Sequence, residues 1–435
     1  MGEGPVVACH HCATLHERTP LEPGALAKCT RCGYVLYRFS AVPVSGWLAM
    51  VTGALVIFAI ANYFPVAILN MQGQTVKASF PGALWLTWIQ GHEVLAIMTG
   101  LFGFWLPFSQ LTVLLWALMS IRSGRLPGDF RYGMRFLHML APWSNMIPVL
   151  MLGMLVAMVK FAGLATLAPG PGLWAFALLA FLLTGLSRVT AERLWRYAED
   201  AGVVLVSRPD LSDSRLVASC GACGFVQNLL PDQDACACSR CRAPIHTRKP
   251  NETSRVWALL IAASIIYIPA NILPVMHVRT AAGDGAHTIL GGVLELWYLG
   301  SWDLALIVFV ASVVVPMTKL LALMVLMLNR RWRGPRIQRQ RTRLYELVEF
   351  IGQWSMLDVF VVVVMSAMAN FPGISQVIAG PGAASFGLVV ILTMLAAMSY
   401  DPRHGWDRQT EKQRSRAKYW RRDSSGQAAS GTTQS

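Results

Sequence analysis

The sequence has few charged residues. Asp, Glu, Lys and Arg together make up 14% of its 435 residues, whereas soluble domains contain about 25%. Hydrophobic residues make up 54% of the chain. A chain this poor in charge is not an ordinary soluble globular protein, and most of it is predicted to lie in a membrane.

Two features of other protein classes are also absent. No secretory signal peptide precedes the first apolar span, since the first 45 residues contain four cysteines instead of an apolar core. We expect this segment to be part of the mature protein. No Gly-x4-Gly-Lys-Ser/Thr motif occurs, which excludes ATP-driven work through that phosphate-binding loop.

Long stretches with little charge predict eight membrane-spanning helices. A helix needs about 20 apolar residues to cross a ~30 Å hydrocarbon layer. Pro-Gly interruptions at 169–172, 372–373 and 380–382 divide the longest stretches. The spans are predicted within these stretches: Trp47–Val76, His92–Met119, Leu140–Val159, Phe161–Ser187, Val256–Met276, Asp303–Leu328 and, as two spans, Val359–Tyr400.

The basic residues are placed unevenly, and their placement predicts the topology. Of the 37 Lys and Arg residues, 33 lie before the first span, at 122–135, 188–255 and 330–343, or after Tyr400. The opposite loops contain only Lys77 and Arg279. Because basic loops stay in the cytoplasm, we expect both termini and the central linker to be cytoplasmic. The net charge of +14 is therefore a topology signal, and no nucleic-acid partner is expected.

The chain contains two copies of one unit, offset by about 210 residues. Cysteine pairs, an Asn-x-x-Pro-Val motif, a Gly-Pro-Gly motif and a late tryptophan, Trp195 or Trp406, occur in the same order in both copies. Each copy has an even number of predicted spans, so both copies have the same orientation. We expect them to pack side by side as a parallel repeat.

Eight of the nine cysteines form two Cys-x2-Cys…Cys-x2-Cys sets, with 16 residues between the pairs in the first set and 14 in the second. This spacing is typical of a zinc ribbon, in which four thiolates surround Zn2+ at about 2.3 Å. Gly33 and Gly224 fit the tight turns of such knuckles. We expect two structural zinc sites, with these ligands: Cys9, Cys12, Cys29 and Cys32, and Cys220, Cys223, Cys238 and Cys241.

The cysteines have other possible roles. Disulfides rarely persist in the reducing cytoplasm, but redox dithiols and iron binding remain alternatives. A complete sulfur set leaves no open position for catalysis on the metal, so no enzyme activity is expected. Cys236 lies outside the two-residue spacing and is predicted to be a bystander. His10, His11 and His246 are predicted to be surface residues rather than ligands.

The predicted fold is mainly α: a polytopic membrane protein of two tandem repeats, each a small β zinc ribbon followed by a four-helix transmembrane bundle. Residues 1–45 form zinc ribbon 1 and residues 46–198 the first bundle. Residues 199–254 form the linker and zinc ribbon 2, and residues 255–405 the second bundle. The basic tail at 406–435 is predicted to be disordered.

Charged side chains inside predicted spans are candidates for function, because each costs about 2.5–3.5 kcal/mol at the bilayer centre. Lys319 and Asp358 lie in neighbouring spans and could pair, with Thr318, Ser355 and Lys160 as further members of a polar network. The alternative is that Lys319 and Asp358 reach the headgroup layer. The first copy has Gln110 and Ile147 at the matching positions, so charge-dependent work is expected in the second copy.

Four prolines are predicted to interrupt spans, which would free backbone carbonyl groups. The kinks could line a cavity between helices, or they could serve packing alone. Asn62, Ser109, Asn271 and Thr318 lie close enough in sequence to satisfy the freed groups. The four prolines are Pro65, Pro107, Pro274 and Pro316.

The combination of motifs resembles the paraquat-inducible protein A family. The resemblance rests on the paired ribbons, the repeated Asn-x-x-Pro-Val, the Trp-Ser-Met-Leu-Asp-Val-Phe at 354–360 and the Asp401-Pro402-Arg403 turn. It implies an inner-membrane subunit that works with a periplasmic mammalian-cell-entry (MCE) protein and moves phospholipid between membranes. The first copy departs from the pattern: it has no acid after Trp143-Ser144, and Ala191-Glu192-Arg193 replaces Asp-Pro-Arg.

Three functions are compatible with the sequence. The resemblance favours lipid transport, and proton movement through Lys319 and Asp358 is a hypothesis for its energy source. A membrane thiol-redox protein that uses the cysteine pairs is the second. A membrane scaffold that binds partners but no lipid is the third.

Overall fold

The structure is a computed structural model that describes residues 5–406 except 72–73, 92, 144–165, 205, 207–216, 230–234, 247, 281–282, 299, 301, 329–334, 353–374 and 404–405. The described part is mainly helical. Its helices are α1 Val44–Tyr63, α2 Phe80–Ile89, α3 Glu93–Gly100, α4 Leu106–Arg122, α5 Phe130–Leu140, α6 Pro171–Leu186, α7 Ala191–Asp200, α8 Glu252–Ile272, α9 Ile289–Tyr298, α10 Trp302–Phe309, α11 Val315–Leu328, α12 Pro335–Gly352 and α13 Pro381–Ser399.

Five helical segments in the described residues are long and apolar enough to cross a membrane, and the chain is therefore a multi-pass membrane protein. These segments are Val44–Tyr63, Ala96–Arg122, Glu252–Ile272, Val310–Leu328 and Pro381–Ser399. Helices α6 and α7 give a sixth if the pair, bent by 58°, is one span. The remaining predicted spans fall largely at 144–165 and 353–374, outside the described residues.

Each cysteine set lies on two short antiparallel hairpins. In ribbon 1, residues 5–39, strand β1 Val6–Ala8 pairs with β2 Leu15–Glu17, and β3 Leu26–Lys28 pairs with β4 Val35–Arg38. In ribbon 2, residues 217–246, strand β8 Val217–Ser219 pairs with β9 Val226–Asn228, and β10 Ala235–Ala237 pairs with β11 Pro244–His246. Strands of three or four residues bury little apolar surface, so the cysteines themselves form the centre of each ribbon.

The first predicted span is too long at its C-terminal end, and the structure corrects it. Helix α1 ends at Tyr63, and the apolar residues after Pro65 form a hairpin of β5 Ala67–Met71 and β6 Gln74–Ala78. Strand β7 Thr166–Pro169 pairs with β5, which gives a three-stranded sheet. Proline disfavours a helical conformation in the residue before it, so the helix ends where the apolar run continues as strands.

The second repeat has the same arrangement. Strand β12 Met276–Thr280 pairs with β13 Gly283–His287 on one side and with β14 Ser375–Ala379 on the other. In each repeat the third strand leads directly into the last long apolar helix, α6 or α13. The order of elements therefore repeats with the sequence, and the internal repeat is confirmed.

The Gly-Pro-Gly motif between sheet and helix allows a close backbone contact. The Gly170 amide donates to the Val66 carbonyl at 2.9 Å, and the Gly172 amide donates to the Pro65 carbonyl at 3.0 Å. A Cβ atom at Gly170 would lie 2.1 Å from the Pro65 oxygen. Gly380 makes the matching approach to Pro274, where a Cβ would lie 2.2 Å from the oxygen. A side chain cannot be accommodated at these glycines without moving the backbone.

The substitution Gly170→Ala should therefore destabilise the protein. The added Cβ would clash with backbone atoms, which cannot rotate away. We therefore expect the free energy of unfolding to fall by about 1–3 kcal/mol, as is typical of overpacking. Gly53→Ala in α1 is the matched control, because a Cβ there has no heavy atom within 4 Å. Thermal unfolding in detergent should give a lower midpoint for Gly170→Ala and an unchanged or higher midpoint for Gly53→Ala. Equal midpoints for the two variants would contradict this account.

Each repeat also contains a helical hairpin followed by a π-helical turn, neither of which the sequence predicted. Helices α2 and α3 form the hairpin, with a left-handed turn at Gly91. The π-helical turn Leu101–Trp105 joins α3 to α4. Its counterpart Val310–Val314 joins α10 to α11. Such turns occur often at functional sites in helices.

The apolar core extends through both repeats. Helix α1 packs along α6 in the first repeat, and α8 packs along α13 in the second. The largest cluster of buried side chains includes Phe58 and Leu111 from the first repeat and Phe386 and Val389 from the second. The two repeats are therefore in contact within the apolar region, as the parallel arrangement predicts.

Candidate functional site

The four cysteines of ribbon 1 converge on one point. Cys9, Cys12 and Cys29 are buried, and Cys32 is partly buried. The sulfur atoms of Cys9 and Cys32 are 3.5 Å apart, and those of Cys12 and Cys29 are 3.4 Å apart. All four sulfurs lie within 4.8 Å of one another. Zn–S bonds of about 2.3 Å in a tetrahedron give sulfur separations of about 3.8 Å, so the group has the size of a metal site.

Ribbon 2 repeats this geometry with four fully buried cysteines. The sulfur separations are 3.5 Å for Cys220–Cys241 and 3.6 Å for Cys223–Cys238. Cys236 is not part of the group. It lies on β10 opposite Ile245, and its sulfur accepts a hydrogen bond from the Gln227 amide at 3.2 Å.

The knuckle turns are formed by the backbone. The amide of Gly33 donates to the Cys29 carbonyl at 2.9 Å, and the amide of Gly224 donates to the Cys220 carbonyl at 2.9 Å. Both glycines have positive φ angles, +82° and +71°. This left-handed conformation favours glycine, as the sequence predicts at both positions.

The closely spaced thiols of ribbon 1 shift one another's pKa values in opposite directions. Hydrogen bonds from Cys32 and Cys9 lower the pKa of Cys12, whereas the hydrogen bond to Cys12 raises the pKa of Cys9. Four adjacent thiolates repel one another unless a cation lies between them, so the donor set fits a divalent metal ion. His16 is a neighbour that the sequence did not single out, with its Nε2 atom 3.2 Å from the Cys29 sulfur.

The histidines beside the first knuckle are less exposed than predicted. His11 is buried, with 6% of its surface exposed, and its ring stacks on Tyr34 at 4.0 Å. Burial lowers the pKa of His11 to about 4, so it is neutral at pH 7. The prediction that His11 lies at the surface was wrong, because contacts with other elements cover the knuckle.

His10 contacts the segment of the first repeat that replaces the Asp-Pro-Arg motif. Its Nε2 atom is 3.1 Å from Glu192, which lies in the first turn of α7. Burial raises the pKa of Glu192, but the hydrogen bond from His10 lowers it to about 2 overall. The same hydrogen bond raises the pKa of His10. Glu192 is therefore a charged residue in a contact between ribbon 1 and the first repeat.

Asp401, in the Asp-Pro-Arg turn, is the centre of a buried hydrogen-bond cluster. Its carboxylate accepts hydrogen bonds from the Arg403 backbone and guanidinium at 2.9–3.0 Å and from the Lys249 amide at 3.3 Å. Its own amide donates to Glu252 at 3.0 Å. Burial raises the pKa of Asp401, but the Arg403 contacts lower it to about 2. The turn thus joins the end of α13 to the start of α8.

The substitution Asp401→Asn should destabilise the second repeat at neutral pH. It leaves the half-buried Arg403 guanidinium and the backbone amide of Lys249 without their charged acceptor, and the lowered pKa of the buried Asp401 carboxyl corresponds to a loss of about 2–3 kcal/mol in the free energy of unfolding. The folded-state pKa of about 2 lies below the unfolded value of about 3.9. The contribution is therefore complete above about pH 4 and is lost as the pH falls towards 2.

Thermal unfolding at pH 7 and pH 3 checks this expectation. The unfolding midpoint of Asp401→Asn should lie far below that of the wild-type protein at pH 7, and the difference should be smaller at pH 3. Asp200→Asn is the control, because the Asp200 side chain is 58% exposed and its contact with Arg18 is screened by solvent. A deficit at Asp401 that does not change with pH would show that the charge has no role.

One candidate of the predicted intramembrane network is deeply buried. Lys319 in α11 is 1% exposed, and Gln110, at the matching position in α4, is 5% exposed. Thr318 is exposed, and its hydroxyl donates to the Val314 carbonyl in the π-helical turn at 2.7 Å. Ser355, Asp358 and Lys160 lie outside the described residues. Both repeats therefore place a polar side chain at the same buried position.

The prolines lie in two different settings, which corrects the predicted kinks. Pro65 and Pro274 lie just after helices that end at Tyr63 and Ile272, so they do not interrupt a span. Pro107 and Pro316 lie in the first turns of α4 and α11, directly after the π-helical turns. The proline inside α8 is Pro269, which is not one of the four predicted kinks. That Pro107 and Pro316 line a cavity between helices stays a prediction.

Comparison with known proteins gives the family. The profile of the family described as "Paraquat-inducible protein A" matches residues 44–199 and 253–410. The chain belongs to the paraquat-inducible protein A family. The two matched segments correspond to the two helical repeats, so the resemblance inferred from the motifs is confirmed.

Several known proteins are similar to this chain along nearly its whole length. The Escherichia coli K12 "Intermembrane transport protein PqiA" is 31% identical over 418 residues, covering 94% of this chain and 97% of that protein. The Escherichia coli K12 "Lipophilic envelope-spanning tunnel protein A" is 29% identical, covering 92% and 90%. A "Probable intermembrane transport protein" of Haemophilus influenzae is 27% identical, covering 92% and 95%. No solved structure matches significantly.

Proposed function

We propose that this protein is the inner-membrane subunit of a lipid-transport system. It passes phospholipid between the inner membrane and a periplasmic MCE tunnel protein and so contributes to outer-membrane homeostasis. The observation that carries the proposal is the full-length similarity to relatives named as intermembrane transport proteins. The apolar helices and the buried polar position at Lys319 give such a function a place in the membrane.

The proposal includes the topology with eight spans and both termini in the cytoplasm. The uneven distribution of Lys and Arg supports it. It places ribbon 1 (residues 1–45) and the linker with ribbon 2 (residues 199–254) in the cytoplasm, and bundles 46–198 and 255–405 in the membrane. The two three-stranded sheets then face the periplasm, where a partner protein can reach them. The tail at 406–435 remains a prediction.

Each ribbon would hold one structural Zn2+ ion. The sulfur separations of 3.4–3.6 Å, the burial of the cysteines and the glycine turns support this assignment. All four sulfurs of each set lie within 4.8 Å of one another. A redox dithiol needs only the two cysteines of one knuckle, so the convergence of four sulfurs favours the metal over the thiol-redox alternative.

Lipid movement would use the second repeat. We assign Lys319, Asp358, Thr318, Ser355 and Lys160 to an intramembrane polar network that provides a path for protons or contacts lipid headgroups. Burial of Lys319 supports this assignment, because a buried amine in a membrane is costly and is usually kept for function. The π-helical turn that ends before Pro316 supports a cavity beside it.

Affinity purification from native membranes in mild detergent tests the proposal. Protein mass spectrometry should identify an MCE-domain protein that co-purifies, and lipid mass spectrometry should detect phospholipid above the level of an unrelated membrane protein of similar size. Co-purification of proteins without enriched lipid would favour the scaffold function. Thiols that cycle between reduced and oxidised states without metal would favour the redox function.

A further inference from the structure

The knuckle arginines of the two ribbons make the same contact. Arg31 lies between Cys29 and Cys32, and Arg240 lies at the matching place in ribbon 2. The Arg31 guanidinium carbon is 5.2 Å from the centre of the Trp406 ring, and that of Arg240 is 5.4 Å from the Trp195 ring. Stacking of Arg on Trp is the favourable geometry of a cation–π contact. Each ribbon therefore docks on the late tryptophan of a helical repeat.

Neither ribbon docks on the helical repeat that follows it in the chain. Ribbon 2 docks on Trp195 of the repeat that precedes it. Ribbon 1 precedes the first repeat, yet it docks on Trp406 at the end of the second, 375 residues away in sequence. The Arg31 guanidinium also donates to the Trp406 carbonyl at 2.9 Å, and Trp406 is 2% exposed.

Other contacts of ribbon 1 with the second repeat surround this pair. Trp406 forms one apolar cluster with Cys9, Cys12 and Cys29, so its ring covers the metal-site cysteines. From α12, the Arg339 guanidinium donates to the Arg31 carbonyl at 3.2 Å. This docking surface therefore consists of Trp406 and one face of α12.

Ribbon 1 contacts the first repeat as well. The Arg18 guanidinium donates to Glu199 at 3.2 Å and to Asp200 at 3.0 Å, both at the end of α7. His10 contacts Glu192 at 3.1 Å at the start of the same helix. The same small domain thus lies between α7 of the first repeat and α12 and Trp406 of the second.

We propose that ribbon 1 is an intramolecular brace that joins the two helical repeats at the end of the molecule where the ribbons lie. Trp406 is its docking residue on the second repeat. Because the strands of ribbon 1 are three or four residues long, its contact surfaces keep their shape only while the four cysteines hold a metal ion. Loss of that ion then loosens both repeats at once. The metal dependence rests on the proposed zinc occupancy, whereas docking at Trp406 does not.

Hydrogen–deuterium exchange of the full chain in detergent tests the brace with two variants. Cys29→Ser removes a ligand, and Trp406→Ala removes the docking residue but no ligand. Both should accelerate exchange, by about tenfold or more, in ribbon 1 and in two remote segments, 191–200 and 335–343. Metal analysis should give one zinc per chain for Cys29→Ser and two for Trp406→Ala. Trp195→Ala is the matched control: it should accelerate exchange in ribbon 2 and around its own position in α7, and it should leave exchange at 335–343 unchanged.

The outcomes separate the docking from the zinc assignment. Unchanged exchange at 191–200 and 335–343 in Cys29→Ser overturns the brace. Unchanged exchange of ribbon 1 in Trp406→Ala, or loss of zinc from that variant, overturns the docking role of Trp406. If either variant is too unstable to purify, a zinc chelator added to the wild-type protein should produce the same remote acceleration. A wild-type chain that contains no metal removes the metal dependence and the zinc sites, while Trp406→Ala still tests the docking.

Discussion

Replacing Cys220 with serine should lower the zinc content from two ions per chain to one and should unfold ribbon 2. Cys220 is fully buried with three other cysteines whose sulfurs lie within 4.8 Å of one another. Serine is a poor zinc ligand, and metal binding contributes about 10 kcal/mol or more to the folding of small zinc domains. The strands of ribbon 2 are too short to replace that contribution. Elemental mass spectrometry and amide exchange of the purified protein measure both effects.

Cys236→Ser is the matched control for this substitution. Cys236 belongs to the same ribbon, but its sulfur contacts Gln227 and is not in the group of four. The variant should keep two zinc ions and normal exchange in ribbon 2. A chain that retains two ions in Cys220→Ser, or loses one in Cys236→Ser, would refute the ligand assignment.

Replacing Lys319 with methionine should abolish the protein's contribution to the outer-membrane permeability barrier without lowering its free energy of unfolding. Methionine has a similar length and no charge, and exchange of a buried charged group for a well-packed apolar one is often neutral or stabilising. The variant should therefore lose the free-energy cost of burying the amine, and it should also lose the function that the amine serves. Cells that depend on this protein for outer-membrane integrity should become as sensitive to detergent as a strain that lacks it.

Gln110→Met is the control, since Gln110 occupies the matching buried position in the first repeat. We expect it to keep most of the activity, because the first repeat has no charge at the matching position. Asp358→Ala should resemble Lys319→Met if the two residues form one network. Full barrier function in Lys319→Met, at normal expression, would remove the network from the account.

The sequence predicted the two groups of four cysteines well because their determinants are local. A Cys-x2-Cys knuckle needs four residues and a glycine in the left-handed conformation, and Gly33 and Gly224 provide it. The duplicated order of motifs likewise predicted the repeated order of elements. Contacts between distant segments were not predictable in this way. The stacking of Arg31 on Trp406 joins opposite ends of the chain, and no spacing rule relates them.

The errors in the helical part have a common physical cause. An apolar strand and an apolar helix cannot be distinguished by hydropathy alone, so the strands after Pro65 were assigned to the first span. The ending of α1 at Tyr63 depends on Pro65 and on pairing of β5 with β7, a strand about 100 residues later. The buried position shared by Lys319 and Gln110 was visible as an alignment of the two repeats. That both side chains are buried could be seen only in the packed structure, because burial depends on neighbouring helices.

Labelling of single cysteines in intact cells tests the central claim, which is that the sheets and the ribbons lie on opposite sides of the membrane. Thr75→Cys and Ala286→Cys place exposed thiols in the sheets of the two repeats, and Ser123→Cys places one just after α4. A membrane-impermeant maleimide added outside, once the outer membrane is permeabilised, should label the first two. It should label Ser123→Cys only after the inner membrane is opened. Labelling of all three without that step, or of Ser123→Cys alone, would contradict the account.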